Sequence, residues 1–224
     1  TIFFTGCNLA CIYCQNYDIS QLNEGRSITA DQLARVMLVL QAKGCHNINF
    51  VTPTHMTAAI VEALLIAVPG GLRVPLVYNS GGYDSVETLR LLDGVFDIYM
   101  PDIKYGDDET GLRLSGAKNY AEHASRAVRE MHNQVGDLKV DSRGIACRGL
   151  LVRHLVLPNG LAGSEKVMDF LVSLSGNTYV NVMDQYRPCF RASEHPDLRR
   201  RPERAEVDAV TAYARRAGLR RVQM

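Results

Sequence analysis

Three cysteines near the start of the chain are the residues most suited to chemistry. Cys7, Cys11 and Cys14 have the spacing C-x3-C-x2-C. A structural zinc site closes with four ligands, and a redox dithiol needs only two thiols. A cluster of four irons takes one thiolate per iron, so three thiols leave one iron open. Because an open coordination position is typical of catalytic metal centres, the spacing favours a catalytic iron–sulfur cluster.

An alternative interpretation uses Cys189, which follows the last predicted strand and is the only candidate for a fourth thiol. Four thiolates would close the cluster, and the chain would then be an iron–sulfur electron carrier rather than an enzyme. Substitution of Cys189 discriminates between the two, because only the carrier would lose its cluster.

The composition describes one ordinary globular domain. A chain of 224 residues can bury one large core, and a net charge of +1 offers little to hold a nucleic acid. No apolar run is long enough to span a membrane, so we expect neither nucleic acid nor membrane as a partner. Half of the six cysteines lie in one loop, which favours metal binding over disulfides and a cytoplasmic location.

Short β-rich runs alternate with amphipathic helical stretches along the chain. After the cysteine loop, the predicted strands cover residues 47–51, 74–78, 96–100, 150–157 and 178–183. Two helices have capping-box signatures, Thr29 with Gln32 and Asp84 with Glu87. Together with the apolar run before Cys7, these elements predict a single-domain α/β fold with a parallel sheet, either open or curled into a full or partial barrel.

Polar residues cluster where each predicted strand ends. In a barrel of parallel strands these carboxyl ends face one mouth, where active sites are built. The clusters cover residues 7–14, 52–55, 79–82, 101–104, 158–159 and 184–186. We therefore predict one site assembled from six loops.

The cysteine motif, with Tyr13 directly before its last thiol, resembles the signature of the radical S-adenosylmethionine (SAM) superfamily. The segments FFTGCNLACIYCQNYDIS, CHNINFVTPTH, YNSGGYDS, DIYMPDIKY, LLVRHLVLP and NVMDQYRP resemble its pyruvate formate-lyase activating enzyme-like (PflX-like) branch. The resemblance covers essentially the whole chain. It implies a partial (β/α)6 barrel of the TIM type, with a radical SAM core over residues 1–224 that lacks some residues before Thr1.

The resemblance also implies a [4Fe-4S] cluster on the three thiols, with SAM bound to the fourth iron. Reductive cleavage of SAM would give methionine and a 5′-deoxyadenosyl radical that abstracts hydrogen from a substrate. The implied substrate is a protein or peptide, such as a partner enzyme that receives a glycyl radical, and a small molecule is the alternative. The implied electron donor is a flavodoxin or a ferredoxin.

Residues around SAM follow from the resemblance by position. Tyr13 would lie beside the adenine. The superfamily carries a Gly-Gly-Glu-like turn after the second strand, which holds the SAM amino group. This chain has Thr-Pro-Thr-His there, so the replacement for the carboxylate is open among Thr52, Thr54 and His55.

The third and fourth strand ends complete the implied SAM site. A ribose or a monovalent cation would lie near Asn79, Ser80 and Gly81. Asp102 and Lys104, two residues apart on the same face of a strand, are candidate catalytic residues. An acid and a base inside an apolar barrel are costly unless paired or liganded, and the alternative is a structural ion pair at the rim.

The last two predicted strands contribute further polar side chains. Arg153 alternates with apolar neighbours, which indicates a partner such as the SAM carboxylate, a substrate anion or an acid inside the barrel. His154 faces the opposite side, where we expect a hydrogen-bonded core residue. Asp184 and Gln185 end the sixth strand, at a place where some activating enzymes carry a histidine.

Overall fold

The structure, a computed structural model, describes residues 1–224, in which strands and helices alternate as the sequence predicts. The strands are β1 Ile2–Phe3, β2 Ile48–Val51, β3 Leu76–Asn79, β4 Ile98–Tyr99, β5 Lys139–Val140, β6 Ala146–Leu155, β7 Tyr179–Met183 and β8 Arg221–Gln223. The helices are α1 Tyr17–Ser20, α2 Ala30–Ala42, α3 Thr57–Ala67, α4 Val86–Leu91, α5 Asp108–Ser115, α6 Tyr120–Val135, α7 Ser164–Leu174 and α8 Arg204–Ala217. No helix combines the length and the apolar character that a membrane span requires.

The sheet runs in the order β1-β2-β3-β4-β6-β7-β8, and every neighbouring pair on this path is parallel. β1 and β8 end the path, as in a barrel that is only partly closed. This confirms the predicted single-domain α/β fold of the partial TIM-barrel type. β8 is a seventh parallel strand that the sequence did not predict, because Arg-Val-Gln is short and two of its three residues are polar.

Alternating side chains on the strands separate two environments. Ile48 and Phe50 of β2 are fully buried in the core between the sheet and the helices, together with Leu33 and Met37 of α2. Asn49 and Val51 point to the other face, into the barrel. The inward positions of the strands therefore line the barrel interior.

The end of the barrel opposite the mouth is closed by a hairpin. β5 pairs antiparallel with the start of β6, and Leu138 before β5 packs on the inward side chains Val77 and Ile98. Gly149 permits this approach, since its φ is 119° and a Cβ there would lie 2.5 Å from the Asp137 carbonyl oxygen. The hairpin thus closes the barrel at the amino ends of its parallel strands.

One predicted helix start is confirmed and the other is wrong by one residue. Thr29 and Gln32 form the reciprocal capping box at α2. At α4 the N-cap is Ser85, whose hydroxyl accepts from the Thr88 amide at 3.2 Å. Asp84 turns inward instead and is buried.

His154 is the buried, hydrogen-bonded core residue that the sequence predicts. Its Nδ1 lies 2.7 Å from the Ile103 carbonyl and its Nε2 lies 2.8 Å from the Ser164 hydroxyl. Since a carbonyl only accepts, Nδ1 carries the proton and Nε2 accepts from the serine. Burial lowers the pKa of His154 to about 4, although the bond to Ile103 opposes the shift.

This buried histidine predicts a loss of stability in mild acid. The unfolded chain takes up the proton near pH 6.5 and the folded chain only near 4, so stability falls as the pH drops through this interval. We expect the free energy of unfolding to fall by roughly 2.5 kcal/mol more between pH 7 and pH 4.5 in wild type than in His154→Gln. Urea denaturation at both pH values measures it, and equal pH dependence in the two proteins would contradict the assignment.

Candidate active site

The cysteine loop between β1 and α1 is held in place by backbone hydrogen bonds from two sides. The amides of Ala10 and Ile12 donate to the carbonyls of Ser115 and Leu114 at the end of α5, at 2.9 and 3.0 Å. On the other side, the Arg191 amide donates to the Ile12 carbonyl at 2.9 Å. The loop conformation is therefore fixed by tertiary contacts.

Each of the three sulfur atoms has its own hydrogen-bond partner. The Leu9 amide donates to Cys7 Sγ at 3.4 Å, and the Ser115 hydroxyl donates to Cys11 Sγ at 2.9 Å. Cys14 Sγ lies 3.1 Å from the Ser20 hydroxyl. Cys7 Sγ also lies 3.9 Å from the Asn8 amide oxygen, an acceptor. A thiolate sulfur only accepts hydrogen bonds, and the Leu9 amide and the Ser115 and Ser20 hydroxyls are suited to donate to the three sulfurs.

The arrangement differs from a site for a single ion. No group of three or more His, Cys, Asp or Glu side chains is placed to hold one metal ion. The ligands of a four-iron cluster do not converge on one point, since each thiolate binds a different iron. All six cysteines are free thiols, and burial raises the pKa of Cys11 to about 11, against the opposing charge of Lys104.

A cavity of about 370 Å³ opens at the mouth of the barrel, and eight of the predicted site residues line it. From the cysteine loop these are Cys11, Tyr13 and Cys14. From the strand ends these are Asn79, Asp102, Lys104, Arg153 and Gln185. A larger groove of about 830 Å³ lies between β1 and α2, and none of the predicted site residues lines it.

Asp102 binds two cations at the mouth. One carboxylate oxygen accepts from Lys104 Nζ at 2.8 Å, and the other accepts from Arg153 Nε at 2.8 Å. The same guanidinium donates to the Asn79 amide oxygen at 2.7 Å. The expected ion pair, which follows β4, is therefore part of a four-residue network that reaches from β3 to β6.

The network, with one carboxylate and two cations, has a net charge of +1. Burial opposes ionisation of Asp102, but Arg153 and Lys104 outweigh it and hold the pKa of the carboxyl below its usual range. Burial likewise opposes the charged form of Lys104, and Asp102 raises the pKa of that ammonium. The excess positive charge suits an anionic ligand. The monovalent cation stays a prediction.

The glycine turn after β3 packs against protein rather than leaving open space. A Cβ on Gly81 would lie 2.6 Å from Leu9 Cδ1, and one on Gly82 would lie 2.3 Å from the Asp102 carbonyl oxygen. The Tyr120 hydroxyl donates to the Gly81 carbonyl at 2.8 Å. These glycines let the cysteine loop and the residues after β4 approach the turn. The sequence suggested another reason for glycine here, namely close contact with a ligand.

The turn after β2 lies outside the cavity lining. Thr52 has a φ of 59°, a rare conformation for a β-branched residue and one that glycine adopts freely. His55 is exposed, and its Nε2 lies 2.7 Å from the Thr5 carbonyl, so it supports the cysteine loop. The positive φ fits the glycine-rich turn that the superfamily carries at this position.

Sequence reasoning missed a buried carboxylate beside the mouth. Asp84 accepts hydrogen bonds from Thr54 at 2.7 Å, Tyr78 at 3.1 Å and Ser80 at 2.6 Å. Burial raises the pKa of Asp84, and these three hydroxyls oppose the shift. The hydroxyls of Thr54 and Ser80, which the resemblance suggested for cofactor binding, are thus engaged in joining the second and third strand turns.

A second missed residue is Asn49, which lines the cavity from β2. Its Oδ1 atom is buried and has no hydrogen-bond partner in the protein. The signal in the sequence was a polar side chain between the apolar residues Ile48 and Phe50, in phase with Val51. At the opposite rim Asp184 and Gln185 are exposed, and the Gln185 carbonyl accepts from Gln15 Nε2 at 3.0 Å.

Comparison with known proteins agrees with this geometry. The sequence pattern of the radical SAM superfamily matches residues 1–141, which include the cysteine loop and the Asp102–Lys104 pair. The chain belongs to the radical SAM superfamily. An uncharacterised protein of Methanocaldococcus jannaschii is 35% identical over 229 residues, a match that covers 98% of this chain and 62% of that protein.

Solved structures share the fold at low identity. SuiB of Streptococcus suis bound to the precursor peptide SuiA has a TM-score of 0.67 at 13% identity, covering 99% of this radical SAM chain and 48% of SuiB. The [FeFe]-hydrogenase maturase HydG of Carboxydothermus hydrogenoformans has a TM-score of 0.60 at 14% identity, covering 97% and 51%. Native anSMEcpe with bound AdoMet has a TM-score of 0.54 at 14% identity, covering 80% and 49%. The chain thus spans about half the length of these proteins.

Neutralisation of Asp102 tests the charge network at the mouth of this radical SAM chain. Asp102→Asn leaves Lys104 and Arg153 without their shared anion, and we expect a loss of about 2–3 kcal/mol in the free energy of unfolding. This loss of unfolding free energy is at or below the low end of the range for fully buried ion pairs, because the three side chains are 16–25% exposed. The control Asp93→Asn, at an exposed residue, should change it by less than about 0.5 kcal/mol. Equal losses of unfolding free energy in the two variants, measured by urea denaturation, would contradict the network.

Proposed function

We propose that this chain is the catalytic core of an enzyme that cleaves SAM reductively at a [4Fe-4S] cluster on Cys7, Cys11 and Cys14. The observation that carries the proposal is a loop with three free, hydrogen-bonded thiols, two of which, Cys11 and Cys14, line a positively charged cavity. When bound, the cluster would supply the electron that splits SAM into methionine and a 5′-deoxyadenosyl radical. The residues of the chain would bind SAM, orient it and exclude water.

Lys104 and Arg153 are the groups we propose for the SAM carboxylate. Both line the cavity beside Cys11 and Cys14, and their single shared anion leaves them one positive charge in excess. Charge-assisted hydrogen bonds to a carboxylate are stronger than neutral ones. Asp102 then acts as the group that fixes both cations.

The SAM amino group needs acceptors, and two parts of the site offer them. Thr52 does not line the cavity, but it directly follows the lining residue Val51 and gives the backbone a turn of the glycine-like conformation. Asn49 Oδ1 is buried without a partner in the cavity wall. We propose these two over Thr54 and His55, whose side chains already bind Asp84 and the Thr5 carbonyl. Tyr13 lines the cavity and stays the candidate for the adenine.

The proposed substrate is a protein or peptide, in line with the resemblance to the pyruvate formate-lyase activating enzyme-like branch. A radical SAM structure of the same fold, SuiB, binds a precursor peptide, which supports this class. Installation of a glycyl radical in a partner enzyme is the specific form, with a flavodoxin or ferredoxin as the electron donor. We propose a cytoplasmic location because the six reduced cysteines suit a reducing compartment.

Reductive cleavage of SAM is the direct test. The protein, reconstituted anaerobically with iron and sulfide and reduced with dithionite, should convert SAM to 5′-deoxyadenosine and methionine. Cys11→Ala should lose this activity, because the cluster loses its most buried ligand. Chromatography of the products after a fixed time measures both.

The matched control is Cys147→Ala, which removes an exposed thiol on β6. We expect this variant to cleave SAM at the wild-type rate. A reconstituted wild-type protein that binds SAM but forms no 5′-deoxyadenosine would overturn the proposal.

A further inference from the structure

Three buried hydroxyl groups form a continuous hydrogen-bonded chain that ends on a cluster thiol. The Tyr13 hydroxyl lies 2.6 Å from the Tyr105 hydroxyl, which lies 2.6 Å from the Ser115 hydroxyl. Ser115 in turn contacts Cys11 Sγ at 2.9 Å. We name Tyr13, Tyr105 and Ser115 the hydroxyl chain.

The direction of this chain follows from counting protons. An iron-bound Cys11 is a thiolate and can only accept, so Ser115 must donate its single proton to the sulfur. The Tyr105 hydroxyl must then donate to Ser115, and Tyr13 must donate to Tyr105. All three donors point the same way, toward Cys11.

No competing partner diverts these protons. Tyr13, Tyr105, Ser115 and Cys11 are 5%, 0%, 1% and 7% exposed, so water offers little alternative. Beyond the chain itself, the three hydroxyls make no other hydrogen bond in the protein. Successive bonds that point in one direction polarise one another, and the effect is strongest where the surroundings are apolar.

We infer that Ser115, supported by Tyr105 and Tyr13, is a positioning residue that raises the reduction potential of the cluster through its hydrogen bond to Cys11. This inference rests on the proposed function, which places the cluster on this thiol. The reduced cluster carries one more negative charge than the oxidised one, and a hydrogen bond to its sulfur ligand stabilises that charge. The hydroxyl chain would therefore make one-electron reduction easier.

A redox titration of the reconstituted full chain without SAM tests this. Dithionite serves as the one-electron reductant, and the electron paramagnetic resonance signal reports the reduced fraction. At a fixed potential, we expect Ser115→Ala to lower the ratio of reduced to oxidised cluster about tenfold, which for one electron is about 59 mV. Tyr105→Phe should lower this ratio of reduced to oxidised cluster by a smaller factor, because Ser115 still donates to the sulfur without the support of the tyrosine hydroxyl.

Tyr186→Phe is the matched control. This tyrosine packs against the Tyr13 ring at a centroid distance of 5.8 Å, but its hydroxyl donates to the Leu198 carbonyl at 2.8 Å. This substitution also removes a tyrosine hydroxyl from a ring that packs on Tyr13, but it leaves every hydrogen bond of the hydroxyl chain in place. We expect the wild-type potential in this variant.

The outcomes separate this inference from the proposed function. A cluster of full iron and sulfide content whose potential is unchanged in Ser115→Ala and Tyr105→Phe overturns the role of the hydroxyl chain alone. If Ser115→Ala takes up no cluster, the reduction potential of Tyr105→Phe tests the inference, and a wild-type potential in that variant overturns it. A wild-type protein that takes up no cluster overturns both, whereas a wild-type cluster that does not cleave SAM overturns only the proposed function.

Discussion

One carboxylate, that of Asp102, organises the mouth of the barrel. It binds Lys104 from its own strand end and Arg153 from β6, and Arg153 binds Asn79 at the end of β3. Removing two cations from water is costly, and Asp102 offsets part of that cost while leaving one positive charge in excess. The mouth can therefore attract an anion and still keep its side chains fixed before the anion arrives.

The cysteine loop has a separate support. Backbone bonds to the end of α5 hold Ala10 and Ile12, and the side chain of Ser115 at the same helix end contacts Cys11. The two supports meet at one cavity, which Cys11, Asp102 and Lys104 line together. Placing the thiols and the ion network against one cavity would let the proposed cluster and the proposed anion-binding cations act on a single ligand.

Much of the fold could be predicted from the sequence because parallel strands and amphipathic helices leave strong periodic signals. The three thiols and the association of Asp102 with Lys104 were equally visible, since spacing along one loop or strand determines them. Asp84 was assigned to a helix cap because Asp and Ser are both good N-caps, and only burial distinguishes them. That error of one residue concealed the carboxylate that joins two turns of the site.

Other parts of the site depend on contacts that no local pattern records. Ser115 reaches Cys11 because the end of α5 bonds to the cysteine loop, and Tyr105, ten residues earlier in the chain, bonds to Ser115 there. The hydroxyls of Thr54 and Ser80 were available in sequence, yet the fold directs both toward Asp84. Positions that bind a cofactor and positions that support its site are therefore distinguished by geometry rather than by residue type.

We propose that three thiols hold a cluster whose fourth iron is open to SAM at this mouth. The electron paramagnetic resonance spectrum of the reduced, reconstituted protein, recorded with and without SAM, tests this most directly. We expect SAM to change the spectrum of wild type and of Cys189→Ala in the same way. A spectrum that SAM leaves unchanged, or loss of the cluster in Cys189→Ala, would contradict it.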